Sequence, residues 1–142
     1  AAVFFSLEET EPAIRARLAD LGHEGRARQI RVDTSDAICA EHVVRVAGDL
    51  PAGAVVAVDY LQLLDQRRTL PPLRHQVAAL AGWASAAQVS VILLSQIDRR
   101  FDPSEGRMPG PDDLRLPNPV DRTLFARACF LHEGRIRVRP AA

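Results

Sequence analysis

The chain has 142 residues, which is enough for one domain with a core of moderate size. Its content of 47% apolar and 25% charged residues is that of a soluble globular protein. The formal net charge is zero, and all 18 basic residues are arginine. This composition excludes a globally basic surface for nucleic acid, and the absence of lysine excludes lysine Schiff bases, lysine general bases and the lysine of a phosphate-binding loop.

The sequence shows no membrane-directed or metal-binding pattern. No apolar run approaches the ~20 residues that span a bilayer, and no basic segment precedes an apolar one at the N-terminus. Cys39 and Cys129 lie in apolar surroundings without metal-ligand spacing, which predicts buried, reduced thiols. We therefore expect a cytoplasmic protein with no membrane partner, and the abundance of Ala, Arg and Pro indicates a high-GC bacterial genome.

A strand and a helix are predicted at the start of the chain. "AVFFSLEE" (2–9) is an apolar run that ends in two glutamates, which is typical of a buried strand. "TEPAIRARLADLG" (10–22) predicts a helix that Thr10 caps and Gly22 ends. Three apolar residues at helical spacing define its predicted buried face: Ile14, Leu18 and Leu21.

A second strand and helix follow. "RQIRV" (28–32) predicts a short strand, and the polar cluster "DTSD" (33–36) predicts the cap of a helix. An apolar stripe runs along that helix, formed by Ile38, Cys39, His42, Val43 and Val46.

The central part of the chain contains the two most apolar strands. "AVVAVDYLQLL" (54–64) and "VSVILLSQ" (89–96) are continuous apolar runs, which predict strands buried on both faces. Between them, residues 70–88 carry Leu73, Val77, Leu80 and Ala84 at helical spacing.

The C-terminal part changes character. From Ile97 to about Arg122, Pro and Gly recur, arginines alternate with acidic residues, and no periodicity remains. Residues 126–138 predict a closing β-hairpin with its turn at Glu133–Gly134.

Alternation of strands and helices predicts an α/β domain with a mainly parallel sheet, flanked by helices and followed by a C-terminal hairpin. Ligands of such sheets bind outside the carboxyl ends of the strands. Several predicted strands end there in polar groups: Glu8 and Glu9, Asp33, Asp59, and Ser95 with Gln96. Their convergence on one edge predicts a functional site.

A carboxylate at the end of a buried strand suits a nucleotide-bound magnesium ion, because Mg²⁺ is held through one or two carboxylates plus phosphates. Asp59 is the candidate for this role, Glu8 for polarising the attacking water, and Gln96 for contacting the terminal phosphate. A strand-end cap or a structural ion pair explains Asp59 equally well. The four histidines are scattered and show no nucleophile–base spacing, so we predict no catalytic role for them.

Three motifs in order, "VFFSLEE", "VVAVDYLQLLDQ" and "VILLSQIDR", together resemble the RecA-like ATPase domain of DnaB-type replicative DNA helicases. "DDLR" (112–115) is similar to a segment that follows the flexible loop in that family. The resemblance runs from Val3 to about Leu131. It implies a RecA-like sheet of the P-loop NTPase type, the cofactors ATP and Mg²⁺, single-stranded DNA as a partner, and a homo-oligomer, by resemblance a hexamer.

The resemblance also implies roles for individual residues. Glu8 corresponds to the glutamate that activates water, and Asp59 to the Walker B aspartate that holds Mg²⁺ through water. Gln96 matches the polar residue that links the γ-phosphate to a DNA-binding loop. That loop corresponds to residues 97–111, in which Arg99, Arg100 and Arg107 become candidates for phosphate contacts. A solvated, charge-balanced loop is the other interpretation of these arginines.

One part of the family pattern is missing. The chain contains no Walker A motif, and in the family that strand, loop and helix lie directly upstream of "FSLE". We therefore expect residues 1–142 to form a single RecA-like core that lacks this segment and is inactive as an ATPase by itself. If these residues fold alone, we expect an exposed sheet edge, a replacement strand or pairing between copies. The alternative is a non-catalytic RecA-like binding or scaffold domain that has lost nucleotide chemistry. Arg135 and Arg137 lie near the place of the family's arginine finger, but neither is a clear match.

Overall fold

The computed structural model describes residues 1–65, 67, 69–116 and 119–141. Its main sheet contains β1 (Ala2–Ser6), β2 (Ile30–Asp33), β3 (Val55–Asp59) and β4 (Ser90–Leu93), all parallel in the order β2-β1-β3-β4. Four helices lie between or beside these strands: α1 (Glu11–Asp20), α2 (Glu24–Ala27), α3 (Ala40–Ala47) and α4 (Leu73–Ala87). A separate hairpin of β5 (Ala128–His132) and β6 (Arg135–Arg139) closes the chain. The predicted α/β fold with a parallel sheet and a C-terminal hairpin is confirmed.

The core lies on one face of the main sheet. Alternate residues of β1 and β3 point to this face, and α3 and α4 cover it with Val43, Val77 and Leu80. The sheet residues that they bury are Val3, Phe5, Val56 and Val58. Ile14 of α1 is buried too, but outside this core. The core therefore fixes which residues of each strand turn toward the opposite face, where the polar strand ends of β1 and β3 lie.

Local signals place several elements correctly. Thr10 caps α1 by accepting a hydrogen bond from the Ala13 amide at 3.4 Å, and Gly22 with φ of +77° follows the end of that helix. Glu133 and Gly134 both have positive φ in the two-residue hairpin turn, as the sequence predicts. These features depend on residues within a few positions of each other.

Two predicted element boundaries and one predicted buried residue are wrong. The strand predicted over residues 54–64 ends at Asp59, because Leu61–Asp65 form a 3₁₀ helix in which Leu61 and Leu64 turn into the core. The Leu61 amide donates to the Leu94 carbonyl at 2.6 Å, so the start of this 3₁₀ helix is hydrogen-bonded to the residue that follows β4. The helix expected after "DTSD" begins only at Ala40, and Leu21 is exposed rather than buried on α1.

The strands β3 and β4 are buried on one face only, which corrects the expectation of burial on both. Val55, Ile92 and Leu94 are 36%, 51% and 40% exposed on the face opposite to α3 and α4. Among the described strands, none pairs with the outer edge of β4. The predicted exposed sheet edge is therefore present. Cys129 is also exposed, against expectation, and both cysteines are free thiols.

We expect this open edge to promote self-association, because unpaired strand edges with apolar side chains template further pairing. Replacing Ile92 with lysine should shift the protein toward monomer at high concentration, as measured by size-exclusion chromatography with light scattering. Leu21→Lys changes another exposed leucine, which is 70% exposed, directly follows α1 and lies away from the edge, and it serves as the control. Equal effects of the two substitutions would show that the edge is not responsible.

Within the described residues, no helix combines the length and apolar character needed to cross a membrane.

Candidate functional site at the carboxyl edge of the sheet

Ser6 and Asp59 end the two central strands side by side. They are direct partners in the register between β1 and β3, so both side chains turn to the face opposite to the core. The hydroxyl of the completely buried Ser6 favours the charged form of the neighbouring Asp59 carboxylate. Its oxygen also accepts hydrogen bonds from the backbone amides of Glu8 and Glu9, both at 3.3 Å. Ser6 thus fixes the bend after β1 relative to the end of β3.

This bend brings two more carboxylates near Asp59. Burial raises the pKa of Asp59 above its usual value, and the negative charges of Glu8 and then Glu9 raise it further. The hydrogen bond from Ser6 and the positive charge of Arg17 act in the opposite direction. Asp59 therefore lies in an environment with excess negative charge, which a cation would relieve.

The two glutamates differ in their surroundings. Glu9 is partly buried and forms an ion pair with Arg17 at 2.6 Å. Glu8 is exposed, and among the residues that the structure describes its carboxylate has no ion-pair partner. Glu8 is therefore the carboxylate beside Asp59 that remains available to a ligand or to water.

Gln96 lies two residues beyond Leu94, just past the end of β4, and its side chain is engaged by Arg115. The Arg115 guanidinium donates to Gln96 Oε1 at 2.7 Å, and the Arg115 amide donates to the Gln96 carbonyl at 2.9 Å. Since β4 is the direct neighbour of β3, Gln96 follows the strand next to the one that ends in Asp59. The structure places Glu8, Asp59 and Gln96 at or just beyond the carboxyl ends of β1, β3 and β4, and it adds Ser6 and Arg115, which the sequence did not identify.

Asp33 also ends a strand of this edge but takes no part in the cluster. It is the register partner of Phe5, whose side chain points into the core, so Asp33 turns to the opposite face from Asp59. Its carboxylate contacts His42 Nε2 at 2.9 Å, and His42 Nδ1 contacts Arg45 at 2.8 Å. His42 is thus a buried histidine that joins Asp33 to Arg45.

The three arginines of the predicted DNA loop have different environments. Arg99 is exposed, and Arg100, 91% exposed in its side chain, pairs with Asp98 at 3.0 Å. Arg107 makes two hydrogen bonds to Asp113, at 2.7 and 2.8 Å, and its guanidinium lies 4.6 Å from the centre of the Phe101 ring. The Arg107 guanidinium lowers the pKa of Asp113 to about 2, with help from the Gly110 amide. Arg107 is therefore part of the internal framework of the loop.

A magnesium ion fits this edge only together with phosphate ligands. In the described part of the chain, no group of three or more His, Cys, Asp or Glu side chains could hold a metal ion. Mg²⁺ bound to a nucleotide needs just one or two carboxylates, and the excess negative charge around Asp59 favours such an ion. Asp59 is the residue that would hold it, and the phosphates would come with the nucleotide.

The raised pKa of Asp59, which results from burial and from the charges of Glu8 and Glu9, predicts an effect on stability. A carboxyl group whose pKa is raised by folding destabilises the fold at neutral pH, and this penalty disappears as the pH falls through its folded-state pKa toward the ordinary value of 3.8. We expect Asp59→Asn to stabilise the protein at pH 7 by about 0.5–1 kcal/mol after allowance for solvent screening. The gain should shrink toward pH 4 in thermal unfolding followed by circular dichroism.

Asp49→Asn is the matched control for this substitution. Arg31 holds the pKa of Asp49 below its usual value through a pair of hydrogen bonds, at 2.7 and 3.2 Å. Loss of that carboxylate should not stabilise the protein at pH 7. If Asp59→Asn had a lower melting temperature than the unmodified chain at pH 7, the charged Asp59 would not destabilise the fold and the prediction would be wrong.

Comparison with known proteins finds similarity among solved structures. No family model matches the chain, and no curated protein matches it. A solved structure of a DnaB-like replicative helicase, described together with its interactions with primase, is similar over 81% of this chain with 21% sequence identity and a TM-score of 0.49. The chain spans 36% of the length of that helicase chain. This degree of similarity does not assign the chain to a family.

The fold and the site together define the structural class of this domain. The chain is a parallel α/β domain with a buried serine and three carboxylates at the carboxyl edge of its central strands, the edge where ligands of such sheets bind.

Proposed function

We propose that the chain is the core of a DnaB/RecA-like ATPase that couples ATP hydrolysis to DNA binding, translocation or unwinding. The observation that supports this most is the pairing of "FSLE" with "VDYLQ" in space. Ser6 and Asp59 are register partners, and Glu8 lies close enough to raise the pKa of Asp59. Two motifs separated by about fifty residues therefore meet at the edge where nucleotide chemistry requires them.

In this proposal each carboxylate has its own task. Asp59 holds Mg²⁺ through water, since its position at the end of a buried strand is rigid and its surroundings favour a cation. Glu8 accepts the proton of the attacking water, since it is exposed beside Asp59 and takes part in no ion pair within the described residues. Gln96 contacts the γ-phosphate and passes its presence to the loop that follows.

The same proposal gives the loop and the assembly their roles. Arg99 and Arg100 are exposed and face solvent, so they are available for the phosphates of single-stranded DNA. Arg107 contributes by shaping the loop through Asp113 and Phe101. We further propose a homo-oligomer, by resemblance a hexamer, with the loops of several copies around one strand of DNA.

A phosphate-binding segment is required for this function. We propose that a strand pairs with the outer edge of β4 and carries the Walker A loop, because that edge lacks a described partner and Ile92 and Leu94 beside it are exposed. The reading frame upstream of Ala1 tests this proposal. A GKT- or GKS-type loop there supports it, and a frame without one supports the scaffold alternative.

The alternative is a RecA-like binding or scaffold domain without ATP chemistry. One observation favours it: the 142 residues contain no lysine, so they cannot themselves build a Walker A loop. The decisive measurement is ATP hydrolysis by the polypeptide that runs from the upstream segment through Ala142, with and without single-stranded DNA. DNA-stimulated hydrolysis establishes the ATPase, and no hydrolysis under either condition rejects it.

A further inference from the structure

The loop between Gln96 and Arg115 is closed at its base. Ile97 and Leu114 form an antiparallel bridge, and the Asp98 amide donates to the Asp113 carbonyl at 2.6 Å. The Arg115 amide then donates to the Gln96 carbonyl at 2.9 Å. The chain therefore leaves and re-enters the sheet edge at the same place, and residues 97–114 form a loop whose orientation depends on this base.

Two side chains tie the base of the loop to the sheet. Arg115 donates to Gln96 Oε1 at 2.7 Å, which is a charge-assisted hydrogen bond and so stronger than a neutral one. Gln62, from the 3₁₀ helix after β3, donates to Ser95 Oγ at 3.0 Å and also to the Arg115 carbonyl. The end of β3, the end of β4 and the exit of the loop thus share one polar junction, formed by Gln62, Ser95, Gln96 and Arg115.

Other contacts lie within the loop or reach the C-terminal residues, where Arg122 pairs with Asp112 at 3.0 Å and Arg135 donates to the Gly106 carbonyl at 3.5 Å. Arg100–Asp98 and Arg107–Asp113 are ion pairs within the loop, so they hold its shape but not its position on the sheet. Phe101 packs edge-on against His132 of the hairpin, with ring centres 5.3 Å apart. The loop is therefore held between the hairpin on one side and the polar junction on the other.

The junction also contains an unsatisfied atom. Gln62 Oε1 is buried, and among the described residues it has no hydrogen-bond partner. Within the described residues, the junction therefore satisfies the donor half of the Gln62 amide but not its acceptor.

We propose that Gln62 and Arg115 are positioning residues that hold loop 97–114 in place on the ends of β3 and β4, with Gln96 as the point of release. When the Gln96 amide turns so that its Nε2 donates to a bound acceptor, its Oε1 leaves Arg115, the charge-assisted bond is lost and the loop is freed to reorient. The inference rests on the proposed function only in the identity of that acceptor, the γ-phosphate. The attachment itself follows from the hydrogen bonds of the junction.

Hydrogen exchange of the unmodified chain and its variants, measured by mass spectrometry without nucleotide or DNA, tests the attachment. Arg115→Ala should speed amide exchange in residues 97–114 by about tenfold, the effect of losing one charge-assisted hydrogen bond. Gln96→Ala should act similarly, and the double variant should exchange no faster than Arg115→Ala, because both remove the same bond. Arg115→Lys keeps a donor for Gln96 and should restore part of the protection.

Arg31→Ala is the matched control, since Arg31 pairs with the exposed Asp49 at 2.7 Å and lies outside both the loop and the junction. It should leave the exchange of the loop unchanged. Exchange in β3 and α4 reports whether a variant has lost its fold. Two results would overturn the proposal. One is unchanged exchange of the loop in Arg115→Ala, and the other is a folded double variant whose loop exchanges faster than that of Arg115→Ala. Absence of DNA-stimulated hydrolysis would instead reject the proposed ATPase and leave the junction standing.

Discussion

Replacing Glu8 with glutamine is expected to lower ATP turnover about 10²- to 10⁴-fold in the polypeptide that carries a phosphate-binding loop, the usual contribution of a general base. Nucleotide affinity should remain, because glutamine keeps the size of the side chain and Asp59 keeps its charge. Steady-state hydrolysis and equilibrium binding of an ATP analogue measure the two quantities separately. The physical reason is that glutamine cannot accept the proton that the attacking water must lose.

Glu9→Gln is the informative control for this experiment. Glu9 is the next residue, its amide also donates to Ser6, and its charge also raises the pKa of Asp59. Glu9 is paired with Arg17 at 2.6 Å, so its carboxylate is neutralised. The carboxylate of Glu8, by contrast, remains available. Turnover should fall far less in Glu9→Gln than in Glu8→Gln. The reverse order would transfer the role of base to Glu9, and normal hydrolysis in Glu8→Gln would remove it from Glu8.

Replacing Gln76 with leucine is expected to destabilise the fold by about 3–5 kcal/mol. Gln76 lies on α4 with only 2% of its surface exposed, and its amide bonds three different segments. Its Oε1 accepts from the Ala40 amide at 2.9 Å, and its Nε2 donates to the Pro71 carbonyl at 2.8 Å and to the Leu64 carbonyl. Leucine fills a similar volume but leaves these backbone groups buried and unpaired.

The bond to Ala40 explains much of this cost. Ala40 is the first residue of α3, and Cys39 before it supplies no side-chain cap. Gln76 therefore satisfies an amide at the start of α3 that would otherwise lack a partner. Chemical denaturation with urea measures the loss, and the melting temperature should fall by roughly 10–20 °C.

Gln29→Leu makes the same chemical change at an exposed position and should alter the stability by less than about 0.5 kcal/mol. If Gln76→Leu were as harmless as Gln29→Leu, water would have to satisfy the three backbone groups, and the capping role of Gln76 would be rejected.

The elements that the sequence predicted well depend on short-range chemistry. Thr10 caps α1 through an amide three residues away, and the hairpin turn needs only that Glu133 and Gly134 adopt positive φ. The wrong boundaries arose where tertiary contacts override local pattern. Residues 60–64 are apolar enough for a strand, yet the Leu94 carbonyl and the core draw Leu61 and Leu64 into a 3₁₀ helix.

At the candidate site, too, local pattern predicted some features and only tertiary contacts decided the others. Apolar runs ending in polar residues were sufficient to place Glu8, Asp59 and Gln96 at one edge. The pattern could not separate Asp33 from Asp59, because strand-end residues on opposite faces look alike until the register is known. Ser6 was missed although it directly precedes "LE", since one serine at a strand end carries no signal of its partner.

By itself, the sequence determined the order of strands and helices, the parallel α/β class, the hairpin and the edge at which polar groups collect, because periodicity and turn chemistry are local properties. The tertiary structure decided which face each carboxylate takes, that Asp33 is bound to His42 while Glu8 stays available, and that Gln76 and Arg115 join distant segments. These outcomes depend on strand register and on contacts between residues tens of positions apart, which no local pattern encodes.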